Sequence, residues 1–118
     1  MYRHIEAYSH QSRIGVLVEL ETADDFTANT DEFRKFARDI ALHITAMNPI
    51  GIEPIDKSNL VHLWSHSDDN EMSDAILLNQ PFIKDPDKTI KEYLKEVESK
   101  LSTKIKIMRF VRFANDET

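Results

Sequence analysis

The chain has 118 residues, 41% of them apolar and 31% charged, and a formal net charge of −6. That length fits one domain burying about two thirds of its unfolded surface, and its 32 Leu, Ile, Val and Phe residues exclude a chain disordered by composition. The lack of cysteine excludes disulfides, thiolate metal sites and Cys nucleophiles, and the acidic balance argues against nucleic acid as the main partner.

No apolar run approaches the roughly 18 residues of a membrane span, and Met1-Tyr2-Arg3-His4 is not followed by a signal-like apolar region. A soluble intracellular protein with a protein partner is the first expectation. In chain order, Ile5, Ala7 and Tyr8 lie in a short stretch ending at the polar cluster Ser9-His10-Gln11-Ser12, which predicts a strand over residues 4 to 9 and a hairpin turn. Ile14, Val16, Val18 and Leu20 recur at period two, so this segment is a strand. From Phe33 the period lengthens: Phe33, Phe36, Ala37, Ile40, Ala41, Ile44 and Met47 share one helical face, leaving Arg34, Lys35, Arg38 and Asp39 mostly on the other. Asn29 with Glu32 has capping-box character, and Asn48-Pro49 is the stop, giving a helix from about 30 to 47.

Pro49, Gly51, Pro54 and the polar run from Ser65 to Glu71 predict an irregular connection over 48–79, with Leu60-Val61-His62-Leu63-Trp64 as one short packed element. Asp85 as N-cap and Pro86 at the first helical position predict a second helix, whose buried stripe is Ile90, Tyr93, Leu94, Val97 and Leu101. Last, Ile105, Ile107, Val111 and Phe113 alternate with Lys106, Met108, Phe110 and Arg112. That strand is apolar enough on both faces to sit inside a sheet or a subunit contact. The expectation is a single α+β domain over 1–118: a small antiparallel sheet of about three strands covered on one face by helices, in the order β-β-α-(irregular)-α-β.

Little in these residues supports catalysis. His4, His10, His43, His62 and His66 are the groups that titrate near neutrality. His62 and His66, four apart, would share a helix face at metal-ligand spacing with Asp68 or Asp69 nearby, but a solvated loop accounts for them as well. His43 beside Ile44 reads as a packing residue. No serine sits in a Gly-x-Ser-x-Gly elbow, and two glycines cannot build a phosphate-cradling loop. Adjacent Asp24 and Asp25 point apart in an extended segment, so they read as a turn feature rather than an acid-base pair. The expectation is a protein that is not an enzyme and needs neither metal nor cofactor.

Phe26 is out of place, a large aromatic in the polar segment Glu21-Thr22-Ala23-Asp24-Asp25-Phe26-Thr27-Ala28-Asn29-Thr30. It is either a staple packing this loop onto the helix or an exposed anchor with a neighbouring acid, the form of an interface hot spot.

Four blocks resemble one family, the core (dimerisation) domain of elongation factor Ts. Tyr8-Ser9-His10 through Arg13-Ile14-Gly15-Val16-Leu17-Val18-Glu19-Leu20 resembles its "Y-x-H-x-x-x-R-[IV]-G-V-L-V-E" strand pair. Asp25-Phe26 leading to Ala28-Asn29 resembles "T-D-F-V-A-[RK]-N", and "FARDIALHITAMNP" from Phe36 to Pro49 resembles its helix block. "LLNQPFIKDPDKTIKEYL" and "IKIMRFVRF" resemble the closing helix and strand, so the blocks cover about three quarters of the chain in order.

The resemblance implies a nucleotide-exchange factor that binds elongation factor Tu and promotes GDP release, with no bond made or broken. Asp25 and Phe26 would form the contact that wedges into the GTPase, with Asp24, His43 and Met47 as possible support. It further implies a cytoplasmic or organelle-matrix protein with no direct nucleic-acid or membrane partner. Some members pair one copy of this core with itself, so a homodimer through sheet or sheet-edge contact is expected.

Departures from the pattern are also present. Where the family reads "N-C-E-T-D-F", this chain has Glu21-Thr22-Ala23-Asp24-Asp25-Phe26, placing an extra carboxylate beside the aromatic. The family's amino-terminal three-helix module has no counterpart here, and the connection before Gln80 is shortened. A cut-down factor, an excised domain, a diverged paralogue and a module of the same fold without exchange activity all fit.

Overall fold

The structure, a computed structural model, describes residues 1–52 and 75–115. Its sheet is built around the most regular apolar alternation in the sequence. Strand β2 (Ile14–Thr22) buries Val16, Val18, Leu20 and Thr22 on one face and turns Leu17, Glu19 and Glu21 to the other. It pairs antiparallel with β1 (Tyr2–His10) on one side and with the last strand, β5 (Lys106–Ala114), on the other, so the order is β1-β2-β5. The β1–β2 turn is closed by the Arg13 N–H donating to the His10 carbonyl at 3.0 Å. Its two central residues, Gln11 (φ 53°) and Ser12 (φ 60°), are left-handed, the turn hand whose twist suits a hairpin.

β5 differs from its expected form in two ways. Of its two expected places, inside a sheet or at a subunit contact, the first is not met among the described residues, where it is an edge strand. Its alternation also changes phase: Glu19 pairs with Arg109 but Leu20 with Ile107, leaving Met108 as an extra residue in a bulge. Ile107 therefore faces the core, whereas Val111 and Phe113 are exposed, at 41% and 71%. The period-two pattern puts all three on one face, and the bulge between them is what separates them.

After β2 comes one helical turn, α1 (Asp25–Ala28), then the long helix α2 (Asp31–Met47). α2 is capped by Thr30, whose hydroxyl accepts from the Phe33 N–H, and not by Asn29, which closes α1. Asn48 ends it in a left-handed conformation (φ 47°), with Pro49 following. Phe33, Phe36, Ala37, Ile40, Ala41 and Ile44 are fully buried as the period requires. Asp39 is buried too, contrary to its expected place on the solvent face.

The described ends of the connection pair with each other: Gly51 bridges Ile76 in parallel, and the Leu77 N–H donates to the Gly51 carbonyl at 2.9 Å. A 3-10 turn (Leu77–Asn79) leads into a hairpin of β3 (Pro81–Phe82) and β4 (Asp85–Thr89). Asp85-Pro86 thus belongs to a strand, not a helix start. The closing helix α3 (Ile90–Leu101) begins later than the Pro signal predicts. Its capping box joins Thr89 and Glu92. Ile90, Tyr93 and Val97 are buried, while Leu94 and Leu101 are half-buried against the same core.

The helices cover one face of the sheet, as the α+β expectation has it. On the other face, Ile5, Leu17, Val111 and Phe113 are exposed, with Ala7 paired to Leu17 and Gly15 to Phe113. The ion pairs Arg3–Glu21 (3.3 Å) and Arg109–Glu19 (3.0 Å) border this apolar surface. No helix among the described residues is long and apolar enough to cross a membrane.

Candidate functional site

The segment joining β2 to α2 is polar, and local hydrogen bonds give it its shape. Asp24 is extended (φ −157°, ψ 171°) and its carboxylate accepts from the Thr27 N–H at 2.9 Å, capping α1. Behind it, the buried Thr22 hydroxyl donates to the Asp24 carbonyl at 2.8 Å. On the far side the Asn29 N–H donates to the Asp25 carbonyl at 3.1 Å, and the Thr30 hydroxyl to the Thr27 carbonyl at 2.8 Å. Thr27 and Ala28 pack inward.

The turn is anchored by one face and presents the other. Phe26 is 78% exposed, so it does not staple the loop to the helix. Beside it, the Asp25 side chain is exposed and has no hydrogen bond or ion pair among the described residues. The Thr27 hydrogen bond holds the Asp24 carboxyl below its ordinary value, so Asp24 is an anion already engaged by the backbone. The Asp25 and Phe26 side chains are the free groups: one carboxylate and one aromatic face on a fixed turn.

His43 and Met47 lie elsewhere. His43 is fully buried: Nε2 lies 2.9 Å from Gln80 Oε1, and Nδ1 accepts the Ile83 N–H at 3.2 Å. Nδ1 therefore carries the lone pair and Nε2 donates. Burial pushes the imidazole below its ordinary value, with the Gln80 bond acting in the opposite direction.

One turn earlier, Asp39 accepts from Tyr93 Oη at 2.7 Å, Lys84 Nζ at 2.8 Å and Lys35 Nζ at 3.2 Å. Burial pushes this carboxyl up, but these hydrogen bonds, with the Lys35 charge, outweigh it and hold the carboxyl below the usual range. Tyr93 is pushed well above its ordinary value by burial and then by Asp39. This hub ties α2 to the β3–β4 hairpin and to α3. Sequence reasoning misses it because its partners are far apart in the chain; the available signal is Asp39 one turn from His43 and one residue from the apolar stripe.

Met47 is 43% exposed at the opposite end of α2 from the Phe26 turn, about 24 Å along the axis at 1.5 Å per residue. The structure thus brings Asp24, Asp25 and Phe26 together and sets His43 and Met47 apart from them. His62, His66, Asp68 and Asp69 lie outside the described residues. Among the described residues, no group of three or more His, Cys, Asp or Glu side chains is arranged to hold a metal.

Comparison with known proteins places this scaffold among translation elongation factors. Residues 2–61 and 69–117 match the family model described as Elongation factor TS. The Elongation factor Ts of Rubrobacter xylanophilus is 39% identical over an alignment of 133 residues, covering 92% of this chain and 68% of that protein. That of Desulfosudis oleivorans is 35% identical over 137 residues, covering 96% and 69%. That of Carboxydothermus hydrogenoformans is 38% identical over 133 residues, covering 92% and 61%. The chain belongs to the elongation factor Ts family and spans about two thirds of the length of these relatives.

Proposed function

We propose that the chain is a single elongation factor Ts core that binds elongation factor Tu and promotes GDP release, with Asp25 and Phe26 at the contact. Phe26 carries this reading: a 78% exposed phenylalanine, on a turn whose back is buried, is an anchor without a pocket of its own. Exchange needs no chemistry from the factor. A protein that holds the nucleotide-free GTPase more tightly than the GDP-bound one accelerates release and is displaced by new nucleotide. Asp25 supplies the adjacent charge. On this reading the protein is not an enzyme in the bond-making sense, and it acts in the cytoplasm or an organelle matrix.

The test is release of a fluorescent GDP analogue from elongation factor Tu of the same source, with and without this protein. Acceleration is expected, and Phe26→Ala should weaken binding by about 2 kcal/mol or more while leaving thermal stability unchanged. An unfolded variant would return Phe26 to a packing role.

A second reading is favoured by the uncovered sheet face. Ile5, Leu17, Val111 and Phe113 form an apolar surface of the kind that mediates association, which supports a homodimer through the sheet faces. A dimerisation module of this fold without exchange would bind the GTPase, or not, and leave GDP release unchanged. Light scattering at micromolar concentration should give about twice 13.7 kDa, and Phe113→Asp should halve the mass; a clean monomer in the unaltered protein would refute the dimer.

A further inference from the structure

A single helical turn of four residues cannot hold its own shape in water, because nucleation fixes several dihedrals for very few hydrogen bonds. α1 has that length, and it carries a strongly exposed aromatic, Phe26. Unless something fixes the turn, Phe26 would sample many orientations, and a partner would bear the cost of ordering it.

Three of the bonds that fix it converge on one residue. The Asp24 carboxylate accepts the Thr27 N–H at 2.9 Å, and its carbonyl accepts both the Thr22 hydroxyl at 2.8 Å and the Ala28 N–H at 3.4 Å. Thr22, the last residue of β2, is fully buried, so the chain of contacts runs from the central strand through Asp24 into the turn. Asp24 occupies the place where the related pattern has threonine. Both side chains present an oxygen at γ or δ reach to the N–H groups of the first turn, and both are good N-caps. Threonine at this position would keep an oxygen within reach of the Thr27 N–H without the charge.

We propose that Asp24 is a positioning residue: by capping α1 on the buried Thr22 pedestal, it holds the turn in the conformation that presents Phe26 to the GTPase, without touching the GTPase itself. This rests on the function proposed above and adds a division of labour within it. Phe26 and Asp25 make the contact, and Asp24 sets their geometry beforehand. The carboxyl is held below its ordinary value by the Thr27 backbone N–H, in keeping with an oxygen committed to the cap.

The experiment compares Asp24→Ala, Asp24→Thr and Phe26→Ala in the full chain, measuring GDP release against factor concentration and hydrogen exchange at the Thr27 and Val18 amides. For Asp24→Ala, half-saturation should rise about ten-fold, the scale of a lost cap, while the release rate at saturation returns to that of the unaltered protein. The Thr27 amide should exchange about ten-fold faster, with Val18 unchanged. Asp24→Thr should restore both within about two-fold, since threonine also caps. Phe26→Ala should lose release even at saturation with Thr27 still protected. Half-saturation unchanged in Asp24→Ala would overturn the proposal, as would Asp24→Thr binding as weakly as Asp24→Ala, which would make the carboxylate itself the contact. If Phe26→Ala releases GDP normally, the underlying function fails and the positioning role with it; protection of Thr27 then reports only the cap.

Discussion

The Phe26 turn and the Asp39–His43 hub flank the same helix and are made from opposite kinds of bonds. The hydrogen bonds that shape the turn join residues between 22 and 30. Apart from Lys35, four residues from Asp39, the hub joins residues 37 to 54 apart in sequence, His43 to Gln80 and Asp39 to Tyr93. The first leaves an aromatic in water; the second buries a carboxylate and an imidazole with their partners supplied. Residues within family-like blocks therefore divide into those that present a surface and those that hold the layers together. A surface group can be removed without cost to the fold, whereas a hub group cannot.

The largest effect expected on stability is from Asp39→Ala. It leaves the Tyr93 hydroxyl without its acceptor in a buried position, at a cost of about 2–3 kcal/mol. Lys35 and Lys84 add less, because their side chains are 67% and 50% exposed and can turn to water. Urea denaturation measures the difference. A loss under about 0.5 kcal/mol would place Asp39 with the surface groups and erase the contrast between the two regions.

Next is the pH dependence of His43. Its folded value is depressed by burial, so between the ordinary value near ~6.5 and the lower folded one, the unfolded chain binds a proton that the folded chain does not. Its stabilising contribution is whole above the ordinary value and falls as pH drops from there towards the folded value, with a slope no steeper than about 1.4 kcal/mol per pH unit. Imidazolium would set an N–H against the Ile83 N–H that Nδ1 now accepts. His43→Gln has no proton to gain, so it should be less stable at neutral pH but flatter between about pH 7 and 5 in the same assay. Parallel curves for the two proteins would show that His43 does not carry the dependence.

These two regions also differ in how far they can be read from sequence. Helix α2 and strand β2 declare themselves because packing against one layer imposes one period, 3.6 or 2, and the related blocks supply the family. The Phe26 turn is legible as an anomaly, an aromatic among polar neighbours, although its exposure needs coordinates. Asp39 reads as a solvent-face residue because the partners that satisfy its carboxylate, Lys84 and Tyr93, lie in no local window. Asp85-Pro86 imitates a helix start, but Pro also suits an edge strand, and the ladder of β4 settles the matter. The bulge at Met108 is invisible to an alternation count because it inserts a single residue.

Met47 gives the smallest and most discriminating change. It is 43% exposed, so Met47→Ser should alter stability by less than about 0.5 kcal/mol. The length of α2 that separates it from the Phe26 turn, about 24 Å, decides the consequence for binding. If the contact is the Phe26 turn alone, Met47→Ser leaves the half-saturating concentration for GDP release unchanged, as a site distant from the contact does. A loss comparable to that of Phe26→Ala would mean that the partner spans the helix and touches both ends. Ile50 and Ile83, exposed at 64% and 41%, would then be the next residues to truncate, because Ile83 is tied through its N–H to His43, one turn before Met47. The hub would in that case be holding a second contact surface in place, in addition to closing the core.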